Sequence, residues 1–481
     1  MIKKIITNKV IFYLASRYFT YFIQFITSMI IAVKLGPYYM GIWGFILLLL
    51  NYFQQLHFGI ANSLNVLLVH YKEDNRESNN YIANSLVLIA GLSLLVVFLA
   101  IYYSFFGISS FNKYQIGNFF YAVCLIGILQ YFNGLFINIL RIKNKIMLIA
   151  FYQSVIVFLN FGGVFFFKGE VLISILVSGY LIGNLIFTVV VVWGRYLPSF
   201  RSVKITMSYL KEILRKGMFL FLYNSCFYFI VISIRTIISY YYSVDEFGYF
   251  TFSFSMANAI MLLLDAFSFI IFPKLIDKLS SNNFEEVNDT LLRLRRTYIS
   301  SSHFLIYLAM IAFPVLLWLI PKYSDALQAL NLIALSILMN TNSFGYSTLL
   351  IARNKEKYSA RISFIALLLN CTLGIVLARV FYVPFSYVIL ATLITYLFFS
   401  FTTLVIGMKI LGQFNLKKTL SVFFQVRLFA PYILAIGISV ANVKSLCFIP
   451  LVVFVIMNWR DMVMIKKDML RILHKPQVVN L

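Results

Sequence analysis

The 481-residue sequence predicts an all-α polytopic membrane protein of 12 to 14 transmembrane helices, in two six-helix bundles followed by a C-terminal helical hairpin. Three observations carry that prediction. Hydrophobic residues make up 62% of the chain and charged ones only 12%, about half the roughly 25% of an ordinary soluble domain. Apolar runs of about 20 residues, the length needed to cross the hydrocarbon layer, recur along the whole chain. Features of the first half return in the second, 207 to 210 residues later.

Charge clusters, Pro and Gly delimit spans at 10–33, 41–69, 81–107, 116–140, 146–167, 171–194, 217–241, 247–272, 297–320, 326–352, 362–382 and 385–408, then a tighter hairpin at 428–443 and 445–459. The chain thus divides into a first bundle (1–194), a cytoplasmic linker (195–216), a second bundle (217–411), the hairpin (412–459) and a basic tail (460–481). Lys3 and Lys4 imitate a signal-peptide start. The following run is long, carries Arg17 and lacks a small-residue cleavage site, so it reads as a retained first span.

The first span gathers Arg17, Thr20, Gln24 and Thr27 on one helical face. It ends at Leu35-Gly36-Pro37, a tight turn flanked by interfacial aromatics. The second span is unusually polar, with Asn51, Gln54, Gln55, His57, Asn62 and Asn65. The linker contains Pro198, six basic residues and an amphipathic piece from Ile205 to Leu214; residues 274–296 read as a solvated cap and polar helix. Gly179-x-x-x-Gly183 reads as a close-packing face.

Net charge of +24 would suggest nucleic acid in a soluble protein, but its distribution says otherwise. With the N-terminus inside, 32 of the 40 Lys and Arg residues fall in cytoplasmic segments. Six lie opposite (Lys34, Lys113, Lys168, Lys322, Arg379, Lys444), leaving Arg17 and Arg235 within spans. This obeys the positive-inside rule with both termini cytoplasmic and an even span count, and it prefers fourteen to thirteen. The basic balance therefore serves topology and anionic membrane lipids, with no nucleic acid. The four cysteines are scattered singly and form no disulfide or zinc pattern; no metal or cofactor is expected.

A shift of 207 carries Lys9 onto Lys216, Phe12 onto Phe219, Gly41 onto Gly248 and Trp43 onto Phe250. A shift of 210 carries Asn144-Lys145 onto Asn354-Lys355, Ala150 onto Ala360 and Leu159-Asn160 onto Leu369-Asn370. Two nearly equal shifts at equivalent places imply a parallel repeat of six spans, with substrate sites expected between the halves.

The most unusual stretch is Lys216 to Tyr242, a span with an arginine, Arg235, in its interior. Such a residue costs roughly 3 kcal/mol on insertion scales and marks a functional site by default. Asn224, Ser225, Tyr228, Arg235 and Ser239 fall on or beside one helical face. The bland reading is that Arg235 snorkels from near a helix end; the same choice applies to Arg17.

Leu35-Gly36-Pro37, Gly41-Ile42-Trp43 and Phe58-Gly59-Ile60, with Phe272-Pro273-Lys274-Leu275, resemble the signature of the polysaccharide flippases, Wzx-like members of the multidrug/oligosaccharidyl-lipid/polysaccharide exporter superfamily. Family members often have tyrosine where this chain has Met40 and an acidic residue where it has His57. The resemblance implies a central cavity between the bundles and alternating access in a bacterial cytoplasmic (inner) membrane. It implies as cargo an undecaprenyl-diphosphate-linked oligosaccharide for O-antigen or capsule synthesis, with a glycan polymerase as possible partner and no enzymatic activity.

For such cargo an arginine fork suits the diphosphate, which points to Arg235 and Arg17. Gln24, Asn51, Gln54, Asn62, Asn224, Tyr228 and Asn258 are the sugar-binding candidates, although amides in spans also glue helices together. Asp265, which the 207 shift carries onto Phe58, one residue from His57, and His57 itself are the candidates for coupling to a proton or sodium counter-ion. The alternatives are an ion-coupled multidrug antiporter of the same superfamily, which would want a carboxylate-led cavity, and a membrane polysaccharide polymerase or glycosyltransferase. The absence of a long outer loop and of a second deep carboxylate weighs against the last.

Overall fold

A computed structural model of the chain describes residues 9–71, 74–107, 109–198, 203–281 and 283–463. Every regular element among the described residues is helical. They form two compact units, Met1–Ser225 with Tyr242–Gly248, and Cys226–Tyr241 with Tyr249–Leu481. Eight described helices are long and apolar enough to cross a membrane, nine if one bent pair is counted as a span.

In unit 1, α1 (Lys9–Gln55) runs through both of the first two predicted spans. Straight, its 47 residues would reach about 70 Å, twice the membrane core. It folds at Gly36 (φ 68°, ψ 175°), and Pro37 opens the second limb, where its missing N–H removes nothing. The predicted 41–69 span is broken: α1 stops at Gln55, residues 56–59 turn, and α2 (Ile60–His70) resumes. Gly59 (φ 75°) explains the break. A Cβ there would lie 2.4 Å from the Gly217 carbonyl oxygen, and one on Gly217 would lie 2.6 Å from that of Gly59, so the two backbones touch directly.

Then follow α3 (Asn75–Phe106), α4 (Ser109–Lys113), α5 (Gly117–Ile142), α6 (Ile146–Gly163) and α7 (Gly169–Trp193). The Gly179/Gly183 face does pack closely: added Cβ atoms would meet Asn160 Oδ1 at 2.2 Å and Ile156 Cγ1 at 2.5 Å. Asn133 donates to Asn184 and accepts from Thr188 at 2.8 Å, so this amide is helix glue.

Residues 203–206 are held against α3 by two asparagines one turn apart. Asn80 Oδ1 accepts from Lys204 N (2.8 Å); Asn84 donates to Lys204 O (2.8 Å) and accepts from Thr206 N (3.2 Å). These amides stand in for a β partner and satisfy backbone groups that no helix would. Then α8 (Met207–Tyr241) begins inside the predicted linker, absorbing most of its amphipathic piece into one 35-residue helix.

The repeat is visible in local geometry. At the position equivalent to Gly36, Ser243 closes a capping box: its Oγ accepts from Glu246 N (3.2 Å), and its own N donates to Glu246 Oε2 (2.9 Å). Gly41 lies on the Val244 carbonyl, and its shift partner Gly248 lies on the Pro37 carbonyl, itself the partner of Val244. Likewise Asn144 and Asn354 both turn through the left-handed region (φ 58° and 53°). The bond Lys145 N→Leu140 O repeats as Lys355 N→Leu350 O, each 2.8 Å.

Unit 2 takes the rest of α8 and most of α9 (Val244–Ser280), then α10 (Phe284–Leu319), which fuses the predicted polar helix with the ninth span. The tenth span is divided into α11 (Leu327–Thr341) and α12 (Tyr346–Ala352) at Gly345 (φ 88°). Arg295 fills this break, with Nη1 2.5 Å from Asn342 O and its guanidinium over the Tyr346 ring. Next come α13 (Glu356–Ile375), a π turn at Val376–Val380, and α14 (Phe385–Ile410), against which α11 and α13 pack. The C-terminal part is α15 (Leu416–Phe423), α16 (Val426–Val440) and α17 (Ile449–Met457). At 15 and 9 residues, α16 and α17 reach about 22 and 14 Å, short of the roughly 30 Å core.

Candidate functional site

Four helices of unit 2 surround a cavity of about 340 Å³, room for about eleven waters at the ~30 Å³ share each takes in the liquid. Each contributes a stripe at helical spacing. From α8 come Phe227, Tyr228, Val231 and Ile234; from α9 Phe250, Phe254 and Asn258. From α11 come Ile333, Ser336, Ile337 and Asn340, and from α14 Ile389, Thr392 and Tyr396. The lining is thus five aromatic rings, two amides, hydroxyls and aliphatic side chains, with no formal charge.

Two details mark the cavity as more than a packing gap. Asn340 Oδ1 is buried and has no hydrogen-bond partner among the described residues. A buried polar atom left so loses roughly 1 to 3 kcal/mol, which a ligand hydroxyl or a water would return. Behind the wall lies Arg235, only 3% exposed, with its guanidinium carbon 5.0 Å from the centroid of the Phe254 ring. Burial at this level places it in the protein interior and excludes snorkelling to the headgroups. The helix that carries it is held by Asn370, whose Nδ2 donates to Ile230 O (2.7 Å) and Ser233 Oγ (2.8 Å).

Of the sequence candidates, Tyr228 and Asn258 line this cavity and Arg235 borders it. The others lie elsewhere. Arg17, half-buried, lies over the Tyr21 ring beside a seam where Thr20 Oγ1 and Ser154 Oγ are 2.9 Å apart; the crevice there is too tight for water. Gln24, Gln54 and Asn224 are exposed, while Asn51 and Asn62 are half-buried in unit 1. His57 sits in the break of the second span, its Nδ1 accepting from Gly59 N (3.1 Å) and its ring near Phe221. Asp265 is on α9, but its side chain lies outside the described residues.

Sequence reasoning missed Ser336, Asn340, Thr392 and Tyr396. Their spacing within 333–340 and 389–396 was the available signal, muted because apolar neighbours surround each of them. It also missed Asp461, 1% exposed, which forms ion pairs with Arg296 of α10 and Arg427 of α16 and so clamps the end of the hairpin to the bundle.

Residues 6–277 match the family described as polysaccharide biosynthesis protein. This chain belongs to that family. No curated protein matches it in sequence. Among solved structures, a lipid II flippase, MurJ, in an inward closed conformation superposes with a TM-score of 0.67 at 17% identity, covering 96% of this chain and 100% of that one. An inward-facing multidrug resistance MATE family transporter of the MOP superfamily gives 0.65 at 14% identity, covering 86% and 100%. A MOP superfamily transporter from Pyrococcus furiosus, whose binding pocket is described as having reverse polarity, gives 0.52 at 13%, covering 83% and 94%. At these identities the likeness is one of fold. The chain is thus a multi-pass membrane protein, all-helical among its described residues, with the fold of MATE and MurJ transporters.

Proposed function

We propose that the protein is a flippase that moves a polyprenyl-diphosphate-linked oligosaccharide from the cytoplasmic to the outer leaflet of a bacterial inner membrane, by alternating access, for surface polysaccharide synthesis. The observation that carries this reading is the neutral, aromatic and amide-lined cavity of unit 2 with Arg235 behind it. Aromatic faces suit the apolar faces of sugar rings, while Asn258, Asn340, Ser336 and Thr392 offer donors and acceptors for hydroxyls. An arginine stays charged at any working pH and grips phosphate oxygens with a planar fork. The polyprenyl tail would remain in the lipid. An inside-negative potential adds about 2.3 kcal/mol per charge per 100 mV to outward movement of the anionic headgroup, so a counter-ion would be needed chiefly for the return step.

A second reading is an ion-coupled multidrug antiporter, supported by the MATE-like fold and by Asp265 on α9. A cation carrier wants negative charge at its site, and the cavity lining supplies none. One experiment separates the two. With Arg235→Ala at normal protein levels, the flippase reading expects undecaprenyl-linked oligosaccharide to accumulate on the cytoplasmic leaflet and surface glycan to fall. Normal glycan with that variant, or drug efflux lost in its place, refutes it.

A further inference from the structure

We propose that α15 is an in-plane membrane anchor whose lysines bind the headgroups of an anionic phospholipid leaflet. The helix is short but firmly defined. Gly412 (φ 66°) turns the chain away from the end of α14, and Asn415 caps α15, its Oδ1 accepting from Lys417 N (3.0 Å) and Lys418 N (3.4 Å). Its axis makes 56° with that of α16, so the two do not form one straight helix.

Its faces divide into three. Thr419 and Phe423, one turn apart, are buried against unit 2. Leu416 (58% exposed) and Leu420 (38%), one turn apart, form a second, largely uncovered stripe; Phe424, just past the helix end and packed on the Phe401 and Phe429 rings, stays 40% exposed beside them. Lys417, Lys418 and Ser421 are exposed on the remaining side. A helix with one flank on protein, an uncovered apolar stripe and lysines alongside has the arrangement of a helix lying in the interface, with apolar residues in the acyl boundary and ammonium groups among phosphates. Charge fixes the occupant. Lys417 and Lys418 have no carboxylate within ion-pair distance among the described residues, whereas the nearby Arg427 is already engaged by Asp461.

Each lysine near an anionic surface strengthens binding by about fivefold, so the pair accounts for about thirtyfold. The test uses the full chain. In detergent, titration with phosphatidylglycerol followed by thermal shift is expected to show about thirtyfold weaker apparent affinity for Lys417→Gln/Lys418→Gln, with phosphatidylcholine affinity unchanged. The control pair Lys355→Gln/Lys357→Gln, also exposed but away from the Leu416/Leu420 stripe, is expected to shift it far less. In vesicles, a fluorophore on Leu420→Cys in a cysteine-free background is expected to be quenched from the lipid phase, and one on Ser421→Cys by aqueous iodide. Equal loss of affinity in both lysine pairs, equal aqueous quenching at 420 and 421, or a lipid-independent, concentration-dependent dimer lost in Leu420→Ser would each overturn the proposal.

Discussion

The Asp461 clamp makes a quantitative prediction about the hairpin. Its carboxylate is buried and bridges Arg296 and Arg427, and Asn458 Nδ2 adds a bond to Arg427 O (2.8 Å). Removing one member of a fully buried pair costs about 3 to 5 kcal/mol. Here the arginine side chains are 43% and 35% exposed, so water takes up much of their charge and the figure falls to about 2 kcal/mol for Asp461→Asn. That is about a thirtyfold shift between docked and open hairpin. Cys447 is a natural reporter: it is buried, follows the turn between α16 and α17, and touches Asn331 Nδ2 at 3.9 Å. With Cys124, Cys226 and Cys371 replaced, Asp461→Asn is expected to raise the maleimide labelling rate at Cys447 about thirtyfold, provided closing outpaces labelling. Arg427→Gln should raise it less, and the double variant should show non-additive coupling. A labelling rate within twofold of the parent for both Asp461→Asn and Asp461→Ala would refute the clamp.

The remaining predictions concern the break, the cavity and the linker. Gly59→Ala and Gly217→Ala should each lower the apparent melting temperature, since either Cβ strikes the opposite backbone at a cost of about 1 to 3 kcal/mol; Gly134→Ala, with open space around it, should leave it unchanged or raise it. Asn340→Leu removes the partnerless buried oxygen, so it should leave stability unchanged or raise it by about 1 kcal/mol while reducing export of lipid-linked oligosaccharide; loss of stability with full export would contradict the site. Lys216, and then Tyr81, hold the Glu212 carboxyl below the usual carboxylate range. A depressed folded value stabilises the linker above the ordinary value of about 4.3 and loses that effect as pH falls below it, so protection factors at 203–206, taken relative to the intrinsic exchange rate at each pH, should fall in acid, and Glu212→Gln should abolish that acid dependence.

Span positions and the repeat were legible because both rest on quantities the chain displays locally: apolar run length, basic residues at the ends, and Gly or Asn where the backbone turns left-handed. Asn144 and Asn354 recur in sequence because the same turn needs the same residue type twice. The two broken spans were not legible, since an apolar run reads alike whether or not its helix is interrupted. Gly59 shows a break only once Gly217 is known to lie on it, and Gly345 only once Arg295 is known to reach Asn342 O.

The same asymmetry governs the site. Arg235 stood out because charge in an apolar run is improbable; Tyr228 followed from its face, and Asn258 from being an amide within a span. Ser336, Asn340, Thr392 and Tyr396 carry no such contrast; each is an ordinary small polar or aromatic residue, and only the convergence of α8, α9, α11 and α14 brings them to one cavity. The repeat offers a partial remedy. Tyr228 and Asn258 are the 207-shift partners of Tyr21 and Asn51, and Asn340 is the 210-shift partner of Gln130. Gln130 Oε1, like Asn340 Oδ1, is buried without a hydrogen-bond partner among the described residues. A polar atom stranded at the same place in both repeats is hard to attribute to loose packing, because each helix environment would have to strand it independently. It is better explained by a requirement common to both repeats, and under the proposed function that requirement is an acceptor for a sugar hydroxyl. On that argument Gln130→Leu should reproduce the export defect of Asn340→Leu without loss of stability, and full export in the Gln130 variant would confine the sugar site to unit 2.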